Sequence, residues 1–127
     1  MISVIVVNYN SGSFLKDCIK SVLHQVDEAL VIDNASTDSS LDQLISCFKN
    51  EPRLIIVRNL VNKGFASACN QGIRQAKGNQ LLFLNPDCIL ESNAVSEMRK
   101  VLESDDSVGM VGGLLLNADG TEQGGGR

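Results

Sequence analysis

The chain has 127 residues, of which 43% are hydrophobic and 20% are charged, and its formal net charge is −4. This length suits one domain with a buried core, and the composition is typical of a globular protein. There is no basic stretch for nucleic acid, no apolar run of the roughly 20 residues that a membrane helix needs, and no signal-peptide pattern at the start. We therefore expect a cytoplasmic protein that does not bind nucleic acid.

Predicted strands and helices alternate along the chain. The first apolar run, Ile2 to Val7, is β-branched and almost unbroken, which is typical of a strand buried on both faces. Apolar residues then recur at helical spacing from Ser13 to His24. Three further strands are predicted at 29–32, 54–57 and 80–84, and a fifth at 108–116 that enters a turn at 117–120. Between them, helices are predicted after the capping residues 36–38, around Phe65, Cys69, Ile73 and Ala76, and at 92–103.

This alternation predicts an α/β fold: a Rossmann-like, three-layer sandwich with a mostly parallel, doubly wound sheet. In such a sheet, ligands bind at the carboxyl ends of the strands, beside the point where the strand order reverses. Polar residues follow each of the first four predicted strands, so the sequence predicts a ligand site along this edge. These residues are Asn8-Tyr9-Asn10, Asp33-Asn34, Arg58-Asn59 and Asn85-Pro86-Asp87.

The loop after the first strand excludes two common nucleotide-binding classes. It reads Asn-Tyr-Asn-Ser-Gly-Ser, with a single glycine, so it has neither the glycine fingerprint of dehydrogenases nor a phosphate loop ending in Lys-Ser/Thr. A receiver domain is excluded because no acid pair ends this strand. An acidic protein that binds a polyanion needs a cation. Asp87 offers the hard oxygen ligand that Mg²⁺ or Mn²⁺ prefers. The diphosphate group of a bound nucleotide, together with water, can complete the coordination.

Four segments, spaced in order along the chain, resemble family 2 glycosyltransferases. They read Val-Val-Asn-Tyr-Asn from Val6, Val-Ile-Asp-Asn-Ala-Ser-Thr-Asp from Val31, Asn-Lys-Gly-Phe-Ala-x-Ala-x-Asn-x-Gly from Asn62, and Phe-Leu-Asn-Pro-Asp ending at Asp87. The Leu-Asn-Pro-Asp variant is similar to the rhamnosyltransferase-like branch. The resemblance implies the GT-A fold, with residues 1–127 as its nucleotide-sugar-binding part and the acceptor-binding half beyond Arg127.

The resemblance also implies which residues form the donor site. Asp33 and Asn34 stand where the family has an acidic pair that contacts the base and ribose, so an amide replaces the second acid. Asn85 replaces the first acid of the family's Asp-x-Asp motif and leaves Asp87 as the main metal ligand. The implied nucleotide-binding residues are Val7, Tyr9, Asp33, Asn34, Asn62, Lys63, Gly64 and Asn85, with Asp87 as the metal ligand.

The implied reaction is inverting transfer of a sugar from a dTDP- or UDP-sugar donor to a saccharide or lipid-linked acceptor. A divalent cation, Mg²⁺ or Mn²⁺, stabilises the leaving diphosphate in this reaction. The family's catalytic base lies beyond the fourth strand, and no residue here matches it, so we expect this chain to bind donor without catalysing transfer. Cell-envelope polysaccharide synthesis at the inner face of the membrane, with peripheral membrane contact through residues beyond 127, is the implied setting.

Three alternatives concern individual features of the sequence. A non-catalytic, glycosyltransferase-like binding or scaffold domain is the other functional reading, because Asn85 departs from the metal motif. Asp38 is predicted to be a helix-start residue rather than a ligand. The four cysteines have no Cys-x-x-Cys spacing, and we predict buried, reduced thiols rather than a zinc site or disulfides.

Overall fold

Four strands and three helices alternate through the first 92 residues of the computed structural model, which describes residues 1–124. The chain divides into two units, and this first one ends at Ser92. Its elements are β1 (Ile2–Asn8), α1 (Phe14–Val22), β2 (Glu28–Asp33), α2 (Ser40–Cys47), β3 (Leu54–Arg58), α3 (Phe65–Gln75) and β4 (Gln80–Leu84).

The four strands form one parallel sheet in the order β3-β2-β1-β4. Because parallel crossovers are right-handed, the connections that lead from β1 to β3 place α1 and α2 on one face, and the return to β4 places α3 on the other. The strand order reverses between β1 and β4. The predicted Rossmann-like α/β sandwich is confirmed, and its ligand edge is expected where β1 and β4 end.

Alternate residues of the strands supply the two cores of this unit. Towards α3, the buried cluster consists of Ile5, Leu30, Ile32 and Ala68, with Val7 and other partly buried residues packed against it. Side chains of opposite parity, such as Val4 and Val31, are also fully buried and face α1 and α2. The helices on that face bury Leu15, Cys18, Ile19, Val22, Leu41 and Leu44.

The predicted third helix is present as α3, and small residues form its contact face. The buried positions are Ala68 and Gly72, whereas Phe65 and Ile73 are 60% and 41% exposed. A Cβ atom on Gly72 would lie 2.6 Å from Cγ2 of Ile5. The helix therefore lies so close to β1 that only small side chains fit between them, and the large apolar residues are displaced to one side.

The second unit, which begins at Asn93, contains α4 (Ala94–Leu102) and a turn. The predicted turn at 117–120 is present, with the amide of Gly120 donating to the carbonyl of Asn117 at 2.9 Å. The predicted fifth strand at 108–116 is wrong. Within the described part of this unit, only an isolated antiparallel bridge joins Leu116 to Glu122, and Met110 is 88% exposed. Three glycines interrupt this run, which weakens strand formation.

The cysteines agree only in part with their prediction. All four are free thiols, and Cys18 is buried, but Cys47 is exposed at the last turn of α2, and Cys69 and Cys88 are partly exposed. Among the helices described, none has both the length and the apolar character needed to cross a membrane.

Candidate functional site

A buried amide joins the carboxyl ends of β1 and β2. The Nδ2 group of Asn8 lies 2.8 Å from Oδ1 of Asp33, 2.9 Å from Oγ of Ser40 and 3.1 Å from Oγ of Ser36. Its two hydrogens are thus shared among three acceptors. Oδ1 of Asn8 is buried and has no hydrogen-bond partner among the described residues. Asn8 therefore acts within the protein, as the link between two loops.

The carboxylate of Asp33 lies just beneath the edge of the sheet. The hydroxyl of Ser36 donates to Oδ1 at 2.6 Å, and the backbone amide of Ser36 donates to Oδ2 at 3.1 Å. The residue is only 3% exposed. Since a carboxylate can accept about four hydrogen bonds, Asp33 retains acceptor capacity for a ligand.

Val7 and Tyr9, the two residues at the end of β1 that are predicted to bind nucleotide, have different surroundings. Tyr9 follows the strand and is 54% exposed, so its ring is available at the edge. Val7 is half-buried and packs with the cluster of Ile5 and Ile32 on the α3 side of the sheet. Tyr9 is thus the candidate contact surface, and Val7 supports the strand that carries it.

A second buried amide, that of Asn34, joins β2 to the loop after β3. Its Nδ2 group donates to the carbonyl of Gly64 at 3.2 Å, and its Oδ1 accepts from Nδ2 of Asn59 at 3.0 Å and from the amide of Lys63 at 3.4 Å. Asn59 also donates to Oε1 of Gln71 at 2.9 Å. Asn34 is 2% exposed, so its side chain chiefly holds the 59–64 loop in place.

The loop of Asn62, Lys63 and Gly64 borders the edge as predicted. Oδ1 of Asn62 accepts from the amide of Gly64 at 2.9 Å, and Gly64 has a φ of 82°, which favours glycine. All three residues are exposed. The loop therefore presents the ammonium group of Lys63 and backbone groups to solvent beside the ends of β2 and β3.

Asn85 and Asp87 follow β4, across the reversal point from Tyr9. The carbonyl of Asn85 accepts from the amide of Cys88 at 3.1 Å and from Sγ of Cys18 at 3.4 Å, which fixes the turn. Burial raises the pKa of Cys18 to about 12, with contributions from the nearby Cys88 and Asp87, so Cys18 is a neutral thiol donor. The side chains of Asn85 and Asp87 are exposed.

Asp87 would be the principal protein ligand of any divalent cation at this edge. Among residues 1–124 there is no group of three or more His, Cys, Asp or Glu side chains that could hold a metal ion. A cation held by one carboxylate needs its remaining ligands from phosphate oxygens and water, which is how Mg²⁺ commonly binds. The exposed carboxylate of Asp87 at this edge of the sheet fits that mode, and Asn85 adds an amide oxygen two residues away.

Asp38 has the helix-start role predicted for it. Its Oδ1 accepts from the hydroxyl of Ser40 at 2.6 Å, and its Oδ2 accepts from the amide of Gly12 at 2.8 Å. The hydrogen bond from Ser40, followed by that from Gly12, lowers the pKa of Asp38 below its ordinary range. Asp38 thus joins the start of α2 to the loop after β1.

The structure brings all the predicted site residues to one edge of the sheet, but sequence reasoning missed the residues that connect them. Ser36, Ser40 and Gln71 were not assigned, and Asn10 and Asn59 were noted only as polar strand ends. For Asn10, Ser36 and Asn59 the available signal was a position after a buried strand, and for Ser40 it was the start of a helix. Gln71 lies in the middle of α3, and no such signal pointed to it. Away from this edge, a shallow and open depression is lined by Lys16 of α1 and by Asp42, Gln43, Ser46 and Cys47 of α2.

Comparison with known proteins identifies the family. The model of the glycosyl transferase family 2 matches residues 3–125. The chain is 30% identical over 116 residues to the glycosyltransferase GlyG of Streptococcus pneumoniae, covering 88% of this chain and 38% of GlyG. It is 31% identical over 122 residues to the poly(ribitol-phosphate) beta-glucosyltransferase of Bacillus spizizenii, covering 89% of this chain and 19% of that enzyme.

The fold is also shared with solved structures. The mannosyltransferase PcManGT from Pyrobaculum calidifontis, in complex with GDP-Man and Mn²⁺, superimposes with a TM-score of 0.73 at 23% identity, over 80% of this chain and 32% of that one. The chain thus spans less than two fifths of the length of these proteins. The match over nearly all of its residues shows that the chain belongs to glycosyl transferase family 2.

Proposed function

We propose that residues 1–127 form the nucleotide-sugar-binding part of a glycosyltransferase that moves a sugar, with inversion, from a nucleoside diphosphate donor to a saccharide or lipid-linked acceptor. The observation that carries this proposal is the placement of two exposed side chains, Tyr9 and Asp87, at the strand ends on either side of the reversal point between β1 and β4. Ligands of parallel sheets bind at such points.

In this proposal the base lies along the ends of β1 and β2. Tyr9 offers an exposed aromatic face for stacking, which is worth about 1–3 kcal/mol per base in other proteins. Asp33 retains acceptor capacity for an N–H of the base or a ribose hydroxyl. Asn34 contributes mainly by holding the loop that presents Asn62, Lys63 and Gly64, and Val7 supports the strand beneath.

The diphosphate lies towards β4, where Asp87 and Asn85 would hold Mg²⁺ or Mn²⁺ together with phosphate oxygens. When bound, the cation neutralises the charge that develops on the leaving diphosphate. The mannosyltransferase from P. calidifontis was solved with GDP-Man and Mn²⁺, which supports a divalent cation for this chain. Lys63 adds a positive charge at the same edge.

The acceptor site and the general base are proposed to lie outside residues 1–127. No residue of the chain occupies the family position of the base, so these residues bind donor without transferring the sugar. The B. spizizenii relative carries poly(ribitol-phosphate) in its name, which supports a polymer of the cell envelope as the acceptor. The family resemblance alone suggests the cytoplasmic face of the membrane as the setting. The resemblance of the Leu-Asn-Pro-Asp motif suggests a dTDP-rhamnose donor, and UDP-galactose or UDP-glucose would suit the same pocket.

Metal-dependent binding of a nucleoside diphosphate tests the proposal. We expect titration calorimetry with UDP, dTDP and GDP to show binding that Mg²⁺ strengthens about tenfold, which corresponds to about 1.4 kcal/mol. Asp87→Asn, which keeps the side-chain shape and removes the charge, should abolish the Mg²⁺ dependence. Asp42→Asn, a matched change at an exposed position on α2, should leave it intact.

Two outcomes would contradict this account. Equal binding with and without Mg²⁺ in all three proteins would show that Asp87 does not hold a cation. No binding of any nucleotide by the folded chain would favour the second candidate function, a glycosyltransferase-like scaffold domain, for which the replacement of the first motif acid by Asn85 is the supporting observation.

A further inference from the structure

Asn10, the residue after Tyr9, connects the loop after β1 to the loop after β2. Its Oδ1 accepts from the backbone amides of Thr37 at 2.7 Å and Asp38 at 3.2 Å. Its own amide donates to Oγ of Ser36 at 2.9 Å. Three hydrogen bonds thus tie this one residue to a loop that is more than 25 positions away in the sequence.

The backbone of Asn10 is in the left-handed region, with a φ of 51°. Asparagine is among the few residues other than glycine that adopt this conformation readily. It also has a side-chain oxygen that can reach two backbone amides, which glycine lacks. Both properties of asparagine are therefore used at this position.

Tyr9 depends on its neighbours for its position. More than half of its surface is exposed, so packing alone does not fix the ring. The residue before it, Asn8, is held by the buried amide network, and the residue after it is held by the three bonds of Asn10. The backbone of Tyr9 is consequently fixed on both sides before any ligand binds.

We infer that Asn10 is a positioning residue for nucleotide binding: it fixes the backbone of Tyr9 so that the ring is held ready for the base. This inference rests on the proposed function, in which Tyr9 stacks on the base. Ordering a flexible contact during binding costs affinity, and an ordered contact avoids that cost. The affinity for nucleotide should therefore depend on a residue that need not touch it.

Tyr9 is the only tyrosine and the chain has no tryptophan, so tyrosine emission reports on this ring alone. We would titrate the chain with UDP, dTDP and GDP in the presence of Mg²⁺ and follow that emission. N-acetyltyrosinamide in a parallel titration corrects for light absorbed by the nucleotide. Far-ultraviolet circular dichroism confirms that each variant is folded.

Asn10→Gly keeps the left-handed backbone and removes the acceptor oxygen. We expect it to bind about three- to tenfold more weakly than the unchanged chain. In the absence of nucleotide, acrylamide should quench its Tyr9 emission more strongly. Asn10→Asp restores an acceptor at the same position and should recover most of the affinity at high ionic strength, where the added charge is screened. If Asn10→Gly does not fold, Asn10→Ala, which also lacks the acceptor oxygen, replaces it with at least the same expected loss, because alanine adopts the left-handed backbone less readily than glycine.

The outcomes separate this inference from the proposed function. If the emission of the unchanged, folded chain does not respond to any nucleotide, the proposed role of Tyr9 is wrong. If the unchanged chain responds and Asn10→Gly binds with equal affinity, only the positioning role is overturned. Failure of Asn10→Asp to recover affinity would also overturn it, because the acceptor oxygen would then not be what matters.

Discussion

The buried amide side chains of Asn8 and Asn34, together with the carboxylate of Asp33, connect the loops at the ligand edge. Asn34 donates to the carbonyl of Gly64 and accepts from Asn59 and Lys63 with the same side chain. A carboxylate at this position could accept but not donate, so the bond to Gly64 would be lost. A neutral amide also avoids burying a negative charge without a partner. This accounts for asparagine at this position.

At the amino ends of the strands, a buried carboxylate, that of Glu28, connects the neighbouring elements. Its buried carboxylate accepts from the hydroxyl of Ser3 and the backbone amide of Lys77, both at 2.5 Å. Burial raises the pKa of Glu28, but the hydrogen bonds from Ser3, Lys77 and Gly78 outweigh it, and the pKa lies below the ordinary value of 4.5. A single charge thereby joins β1, β2 and the connection to β4, far from the ligand edge.

The lowered pKa predicts how Glu28 contributes to stability. A carboxylate with a lowered folded pKa stabilises the fold fully above its unfolded pKa, and the contribution is lost as the pH falls through the folded value. Glu28→Gln should therefore reduce the free energy of unfolding at pH 7 by about 1–3 kcal/mol. The difference from the unchanged chain should shrink as the pH falls below about 4.5.

Urea unfolding of both proteins at several pH values would measure this. Asp42→Asn, at an exposed position of α2, controls for the loss of one negative charge and should show no such pH-dependent difference. A constant difference between Glu28→Gln and the unchanged chain from pH 7 to pH 3 would contradict the account.

At the scale of the elements, the close approach of α3 to β1 restricts which side chains fit at Gly72. Gly72→Ala would place a methyl group 2.6 Å from Cγ2 of Ile5, which is itself buried. Overpacking of this kind costs about 1–3 kcal/mol, whereas the gain in helix propensity is about 1 kcal/mol. We therefore expect a net loss of stability, in contrast to the usual effect of replacing a helical glycine.

A double-mutant cycle identifies the cause. Ile5→Ala alone should cost about 2–5 kcal/mol by leaving a cavity, and it should cost less in the Gly72→Ala background because the Cγ2 atom that the added methyl group would meet is then absent. Thermal unfolding of the four proteins gives the coupling. Additive effects, or a Gly72→Ala variant more stable than the original chain, would show that Ile5 does not limit the approach.

The elements also show what sequence patterns can and cannot predict. The run Ile2 to Val7 predicted a doubly buried strand because it is apolar and β-branched except at Ser3, and β1 is that strand. The spacing of Phe65, Cys69 and Ile73 predicted a helix, and α3 is that helix. Hydrophobicity did not reveal that its contact with β1 admits only small side chains. The run from 108 to 116 predicted a strand, but apolar residues alone do not supply a pairing partner.

At the scale of the whole molecule, the strand order explains why distant motifs form one site. Each motif contains or follows the end of a parallel strand, and parallel strands end at one edge of the sheet. The alternation of elements alone therefore predicted where these residues would gather. The hydrogen bonds between the loops could not be predicted, because they depend on the precise separation of the strand ends. Asn10 and Thr37, for example, are neighbours only because β1 and β2 pair in the observed register.

The location of the nucleotide on the folded chain tests the central claim most directly. Amide chemical shifts of the 127-residue chain, followed by NMR during titration with UDP, dTDP or GDP in Mg²⁺, report every contacted segment at once. We predict that the largest shifts occur at residues 8–12, 33–36, 60–64 and 85–88, along the carboxyl edge of the sheet. Shifts confined to the outer surfaces of α1 and α2, or a folded chain with no shifts at all, would contradict a donor site at that edge.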